Sequence, residues 1–339
     1  MEIDLSELRT HFTDLLDARL GGRAIECSDQ WFAGCENLVN PDPPVYKDRH
    51  FISTGQWMDG WESRRSFERR ARTSDHDWCV LRLGAPGTIF ALNIDTSHFR
   101  GNAPEHVAVD GAWQPVGEET GLNWFELLPP SAIEPDSPNY FRVMSDQLAS
   151  HLRLKIFPDG GVARLRAFGE VRLAREQFAE DELIDLASLA NGARPQQCSD
   201  QFFSTPANLL MPNTARHMGD GWETKRRRDE NHDWCIIKLG TVGDVRKVVV
   251  DTSHFRGNFP DSCCLEGINS TTLNVEPEDR NWQTILPTVP LQADRTHIFT
   301  GDLLNCVGTR FSHVRLNIYP DGGVSRLRVY GAPVYGDEV

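Results

Sequence analysis

Eight residues, Asp-Thr-Ser-His-Phe-Arg-Gly-Asn, occupy positions 95–102 and return unchanged at 251–258. Each copy supplies a carboxylate, an imidazole, a guanidinium and a carboxamide: Asp95, His98, Arg100 and Asn102, then Asp251, His254, Arg256 and Asn258. Such a set can do chemistry. A guanidinium grips a carboxylate through two parallel hydrogen bonds, an imidazole moves protons near neutral pH, and an amide pairs with another amide. A structural reading competes, in which the Asp caps a loop, the Arg pairs with it and the His fills a polar core position. A packing segment can drift in its polar letters while keeping its apolar pattern, so identity in the polar residues favours function.

A second duplicated motif, Asp-Gly-Trp-Glu, adds Trp61, Glu62 and Arg65 in the first copy and Trp222, Glu223 and Arg226 in the second. Here Glu is a candidate general base, Arg a second anion clamp, and Trp a flat face for a substrate; the competing reading is a turn followed by a solvated basic strand. His76 and His232 precede apolar runs and read as members of His-Asp pairs that steady strand starts. Arg153, Arg164 and Arg166, with Arg315, Arg326 and Arg328, alternate along expected hairpins and read as a solvated face. No HExxH, Walker loop, GxSxG or GxGxxG is present. The sequence requires no cofactor, leaves a divalent metal open, and identifies no metal ligands.

The elements that must position these groups are strands. The octapeptide follows "FALNI" in one copy and "KVVV" in the other, so its polar residues emerge at a strand end, where a rigid element can hold them. Five blocks recur in order, starting at Cys27, Asp59, His76, Asp95 and His151, with offsets of 171, 161, 156, 156 and 162. Such long repeats mark a tandem duplication, with length changes confined to loops. Alternating runs such as "VARLRAF" and "VSRLRVY", with "PDGG" as turn chemistry, predict an all-β fold of two jelly-roll sandwiches. Leucine spacing predicts helices over 4–20 and 174–190. The expected organisation is an N-terminal helix over 1–21, a first jelly roll over 22–172, a helical linker over 173–193 and a second jelly roll over 194–339.

With 35 basic and 49 acidic side chains, the formal charge is −14, which disfavours nucleic acid and anionic membrane as partners. No apolar run approaches the roughly 20 residues that cross a bilayer, and no signal peptide is visible. The eight cysteines include no CxxC pair and read as reduced, which places the chain in the cytoplasm.

"DGWETKRR", "HDWCIIKLG", "DTSHFRGN" and "YPDGGVSRLRVYG" together resemble the allantoicase family over roughly residues 24–335. The resemblance implies two jelly rolls of galactose-binding-like topology, a homo-oligomer, and hydrolysis of allantoate, a small anionic substrate, to ureidoglycolate and urea. On that reading, Arg100 or Arg256 clamps the substrate carboxylate and Asn102 or Asn258 pairs with a ureido group. His98 or His254 protonates departing urea, while Asp251 or Glu223, with counterparts Asp95 and Glu62, activates water. The rival class is a non-catalytic double jelly roll that binds anions or carbohydrates. The first copy departs slightly from the second, with "QWMDGWE" against "HMGDGWE" and a longer following segment.

Overall fold

The computed structural model describes residues 8, 12–65, 74–115, 121–173, 178–179, 182–272, 274–305 and 307–334. Residues 1–172 and 173–339 form separate compact units, and each is organised around one very long strand. In the first unit that strand is Asp77–Asp95, and in the second Asp233–Asp251, both of 19 residues. Its length lets one strand serve two layers.

The N-terminal half of Asp77–Asp95 lies between Arg23–Cys27 and Leu148–Phe157, and the layer continues through His106–Ala112 to Trp124–Ala132. The C-terminal half lies between Arg164–Val171 and Pro138–Arg142, with Thr13–Asp14 outermost. The second unit repeats this arrangement. Asp233–Asp251 pairs first with Arg194–Cys198 and Arg310–Tyr319, then with Arg326–Pro333 and Thr296–Thr300. Every pairing is antiparallel, so the chain is an all-β protein of two sandwiches.

Alternation along the strands fills the space between layers. Cys79, Leu81 and Leu83 point inward while Arg82 between them is exposed. Leu81, Leu92, Ile94, Leu152, Leu154, Ile156 and Leu165 meet in one core with no accessible surface. Burying each such side chain stabilises the fold by about 1.5–3 kcal/mol.

Among the described residues only Leu8 is α-helical, its carbonyl accepting the Phe12 amide at 2.9 Å, and no further part of either expected helix is formed. Over 4–20 the chain makes the edge strand Thr13–Asp14 and the 3-10 turn Ala18–Leu20; over 174–190 it makes the edge strand Ile184–Asp185 and begins the 3-10 turn Leu189–Asn191. Residues 4–7, 9–11, 174–177 and 180–181 of these stretches, with residues 1–3 ahead of them, lie outside the described residues. Leucines spaced for a helix are used here by a strand and turn that face their own core. Leu15 and Leu16 are fully buried, as is Leu186. Asp14 Oδ1 accepts the amides of Leu16 and Ala167, both at 3.1 Å, and Asp185 Oδ1 accepts those of Ala187 at 3.2 Å and Val329 at 3.0 Å. Gly21 and Gly192 close the turns at φ 108° and 91°, values that favour a residue without Cβ. Thr13–Asp14 and Ile184–Asp185 are therefore the edge strand that opens each sandwich, where the leucine spacing predicts helix.

Candidate functional site

The octapeptide leaves the long strand at its C-terminal end, and its apolar members anchor it. Phe99 and Phe255 are fully buried, and their rings lie over the Pro-Asp-Gly-Gly turns so closely that a Cβ at Gly161 or Gly323 would overlap them. Thr96 and Thr252 are buried too, their hydroxyls donating to Glu134 O and Gln292 O at 2.6 Å each. Asp95 Oδ1 accepts the Ser97 amide at 2.8 Å, and Asp251 Oδ1 accepts the Ser253 amide at 2.9 Å and hydroxyl at 2.6 Å. Both aspartates are thus loop caps, the structural role weighed against catalysis.

Between these anchors the backbone is strained. His98 and His254 adopt φ 74° and 73°, a region that costs a non-glycine residue about 1–3 kcal/mol. Their Nε2 atoms lie 3.2 Å from Pro44 O and 3.0 Å from Ala215 O. A carbonyl only accepts, so Nε2 carries the proton and Nδ1 is left to exchange one. Arg100 and Arg256 are 81% and 83% exposed, and among the described residues each uses only Nε, on Asp136 at 2.8 Å and Asp294 at 3.1 Å.

The other end of the loop meets the Asp-Gly-Trp-Glu motif. Asn102 Nδ2 donates to Glu62 Oε1 at 2.8 Å, and Asn258 Nδ2 donates to Glu223 Oε1. The same asparagines accept the Gly161 and Gly323 amides through their carbonyls at 2.7 and 2.8 Å, which ties each carboxylate to the glycine turn. Burial pushes the Glu62 carboxyl above its ordinary range, against the Asn102 hydrogen bond and the Arg65 charge. Arg65 bridges Asp159 Oδ1 at 2.9 Å and Gly101 O at 3.1 Å. Its counterpart Arg226 is exposed and has no partner among the described residues.

Several expectations are corrected. Trp61 and Trp222 offer no face to a substrate: both are fully buried, with Nε1 donating to Asp29 O at 2.8 Å and Asp200 O at 2.9 Å. Arg164 and Arg326 are not solvated but 1% and 3% exposed, and they tie down the loops ahead of Glu62 and Glu223 through Asp42 O, Asp59 O, Asn213 O and Asp220 O. His76 does pair with an aspartate at the strand start, but with Asp75, whose Oδ1 lies 2.7 Å from Nδ1, and not with Asp77; His232 Nε2 instead lies 3.0 Å from Asn317 Oδ1. The His rings rest on Phe157 and Tyr319, while Asp77 binds Ser28 and Ser63, and Asp233 binds Ser199 and Arg227.

Sequence reasoning passed over Asp136 and Asp294. Their flanks differ, "EPDSP" against "QADRT", and only an offset of 158 positions (294 − 136), between the 156 and 162 of the flanking blocks, would have exposed them.

Each loop therefore presents an exposed guanidinium, an imidazole Nδ1 and a carboxylate held by an amide. Among the described residues, no group of three or more His, Cys, Asp or Glu side chains is arranged to hold a metal ion. The model of the allantoicase repeat matches twice, over residues 13–172 and 184–334. The chain belongs to the allantoicase family. Both repeats begin at the edge strands described above, Thr13–Asp14 and Ile184–Asp185. An allantoicase of Dictyostelium discoideum is 42% identical over 323 residues, covering 93% of this chain and 86% of that protein. A probable allantoicase of Pseudomonas savastanoi is 43% identical over 324 residues, covering 94% and 96%. The crystal structure of Saccharomyces cerevisiae allantoicase superposes with a TM-score of 0.79 at 33% identity, covering 97% of this chain and 98% of that one.

Proposed function

We propose that each strand-end loop is a hydrolytic site of this allantoicase, which splits allantoate and water into ureidoglycolate and urea. The carrying observation is duplication of geometry: in both repeats an asparagine holds a glutamate while an exposed arginine has no partner for its terminal nitrogens among the described residues. Allantoate bears one carboxylate and two ureido groups on one carbon. Arg100 and Arg256 grip the carboxylate through both terminal nitrogens, the bidentate mode that suits a planar guanidinium. Asn102 and Asn258 give one carboxamide N–H to the glutamates and meet a ureido N–H with Oδ1.

Glu62 and Glu223 take a proton from water, whose oxygen becomes the hydroxyl of ureidoglycolate. His98 and His254 enter the step as imidazolium, keep Nε2–H on its carbonyl and pass the Nδ1 proton to the departing urea nitrogen; the proton that the glutamate took from water then restores Nδ1, so the products leave balanced. Asp95 and Asp251 hold the loop, and Arg65 and Arg226 add positive charge beside the carboxylate. Each sandwich is read as a galactose-binding-like jelly roll, supported by the shared long strand. A cytoplasmic setting is supported by the free thiols, and self-association by exposed Val45, Tyr46, Phe51 and Ile52.

The test is direct. Purified protein given allantoate is expected to release urea, and His98→Gln with His254→Gln is expected to abolish most of that release while leaving the fold intact. Allantoate binding without urea would transfer the chain to the non-catalytic class.

A further inference from the structure

We infer that Asp136 and Asp294 are positioning residues, each carboxylate setting the substrate-gripping arginine and the proton-transferring histidine at once; this rests on the carboxylate-clamp reading above. Asp136 Oδ1 accepts the His98 amide at 2.7 Å and its Oδ2 accepts Arg100 Nε at 2.8 Å. Its own amide donates to Phe99 O at 3.2 Å, so three consecutive residues of the octapeptide converge on one aspartate. Asp294 does the same with His254 at 2.7 Å, Arg256 at 3.1 Å and Phe255 O at 3.1 Å. Both aspartates adopt the left-handed region themselves, at φ 50° and 51°.

Stability alone does not account for this. The carboxylates are 34% and 38% exposed and the guanidiniums more than 80%, and ion pairs so exposed contribute little to folding. The left-handed histidines cost stability, and such strain persists where function needs the geometry. What the arrangement does achieve is orientation. Holding Nε fixes the plane of the guanidinium and turns its two terminal nitrogens outward, the pair that a substrate carboxylate requires. Holding the His amide fixes the strained backbone from which the imidazole projects, with its Nε2 restrained on a carbonyl and Nδ1 left free. Clamp and proton donor therefore share one support in each repeat.

The two bonds can be separated by substitution. Asn at both positions, Asp136→Asn with Asp294→Asn, keeps Oδ1 for the His amide but sets an N–H donor against Arg Nε. Ala at both positions removes both bonds. Steady-state kinetics with allantoate on the full-length chain are expected to show KM raised about tenfold in the Asn variant, with kcat within about twofold of wild type. In the Ala variant kcat is expected to fall about tenfold as well. Arg100→Ala with Arg256→Ala serves as reference, with KM raised at least as much, and thermal melting confirms that each protein is folded. If the Asn variant keeps a wild-type KM while the Arg variant does not, the aspartates do not position the fork and the inference is overturned. If the Arg variant also keeps its KM, the clamp reading itself falls and takes the inference with it. Should the Ala variant fail to fold, the Asn variant alone decides, because its Oδ1 bond to the strained histidine is retained.

Discussion

The Asn102 carboxamide donates to the Glu62 carboxylate at 2.8 Å, and Asn258 makes the same bond to Glu223. A carboxylate that gives one lone pair to a fixed donor keeps its remaining lone pairs for water. Because both repeats are built alike, Glu62→Gln and Glu223→Gln are each expected to retain about half of the urea-forming rate. The double variant is expected to lose about 10²-fold or more, the usual worth of a general base. A single variant that abolished all activity would show that only one repeat turns over.

Burial holds the Glu62 carboxyl above its ordinary range, which gives the first repeat its own pH dependence. Glu62 acts as a base only when ionised, so kcat/KM of the Glu223→Gln variant is expected to rise with pH through a titration displaced upward from that of a free glutamate. For stability the direction is opposite: the unfolded chain releases this proton first, so stability from this group falls as pH rises through the folded pKa. Glu62→Gln removes that cost. It is expected to melt at a higher temperature than wild type at pH 7 and at the same temperature at pH 4, which calorimetry can check.

His313 provides an acid-sensitive element away from the site. It is 1% exposed, its Nδ1 lies 2.8 Å from Ser312 Oγ, and its Nε2 has no partner among the described residues. Burial, with Lys238 and Arg194 nearby, holds its pKa down at about 4. Between that value and the unfolded value near 6.5 the unfolded chain binds more protons, so stability is lost as pH falls through this window. The loss amounts to roughly 3 kcal/mol. Denaturant titrations from pH 7 to 4 are expected to show it in wild type and not in His313→Gln.

Trp61 separates packing from recognition. Trp61→Phe loses the Nε1 bond to Asp29 O and leaves part of the core unfilled, at a cost of about 1–3 kcal/mol. KM for allantoate is expected to stay at the wild-type value. A large rise in KM without loss of melting temperature would return Trp61 to the substrate.

The long strands, the glycine turns and the duplicated polar loops were legible because each has a local signature: period-two alternation, Pro-Asp-Gly-Gly, and identity between copies. Leu15, Leu16 and Leu20 were misread as helical because leucines spaced by three or four residues also suit an edge strand followed by a 3-10 turn. Only tertiary context decides between them. Trp61 and Arg164 misled for a related reason, since residue type does not reveal when an amphipathic or charged side chain is used as an internal strut. Asp136 and Asp294 were hidden because their task depends on a single carboxylate, which leaves the surrounding letters free to change.

The 19-residue strand Asp77–Asp95 has a mechanical consequence. Leu81 pairs with Leu152 in one layer and Ile94 pairs with Leu165 in the other, yet both belong to the same uninterrupted backbone. Peeling one layer away would drag the other's central member with it, so neither layer has a separate route to opening. Amide exchange at Leu81 and Ile94 should follow one common rate and respond equally to denaturant, marking the repeat as a single cooperative block.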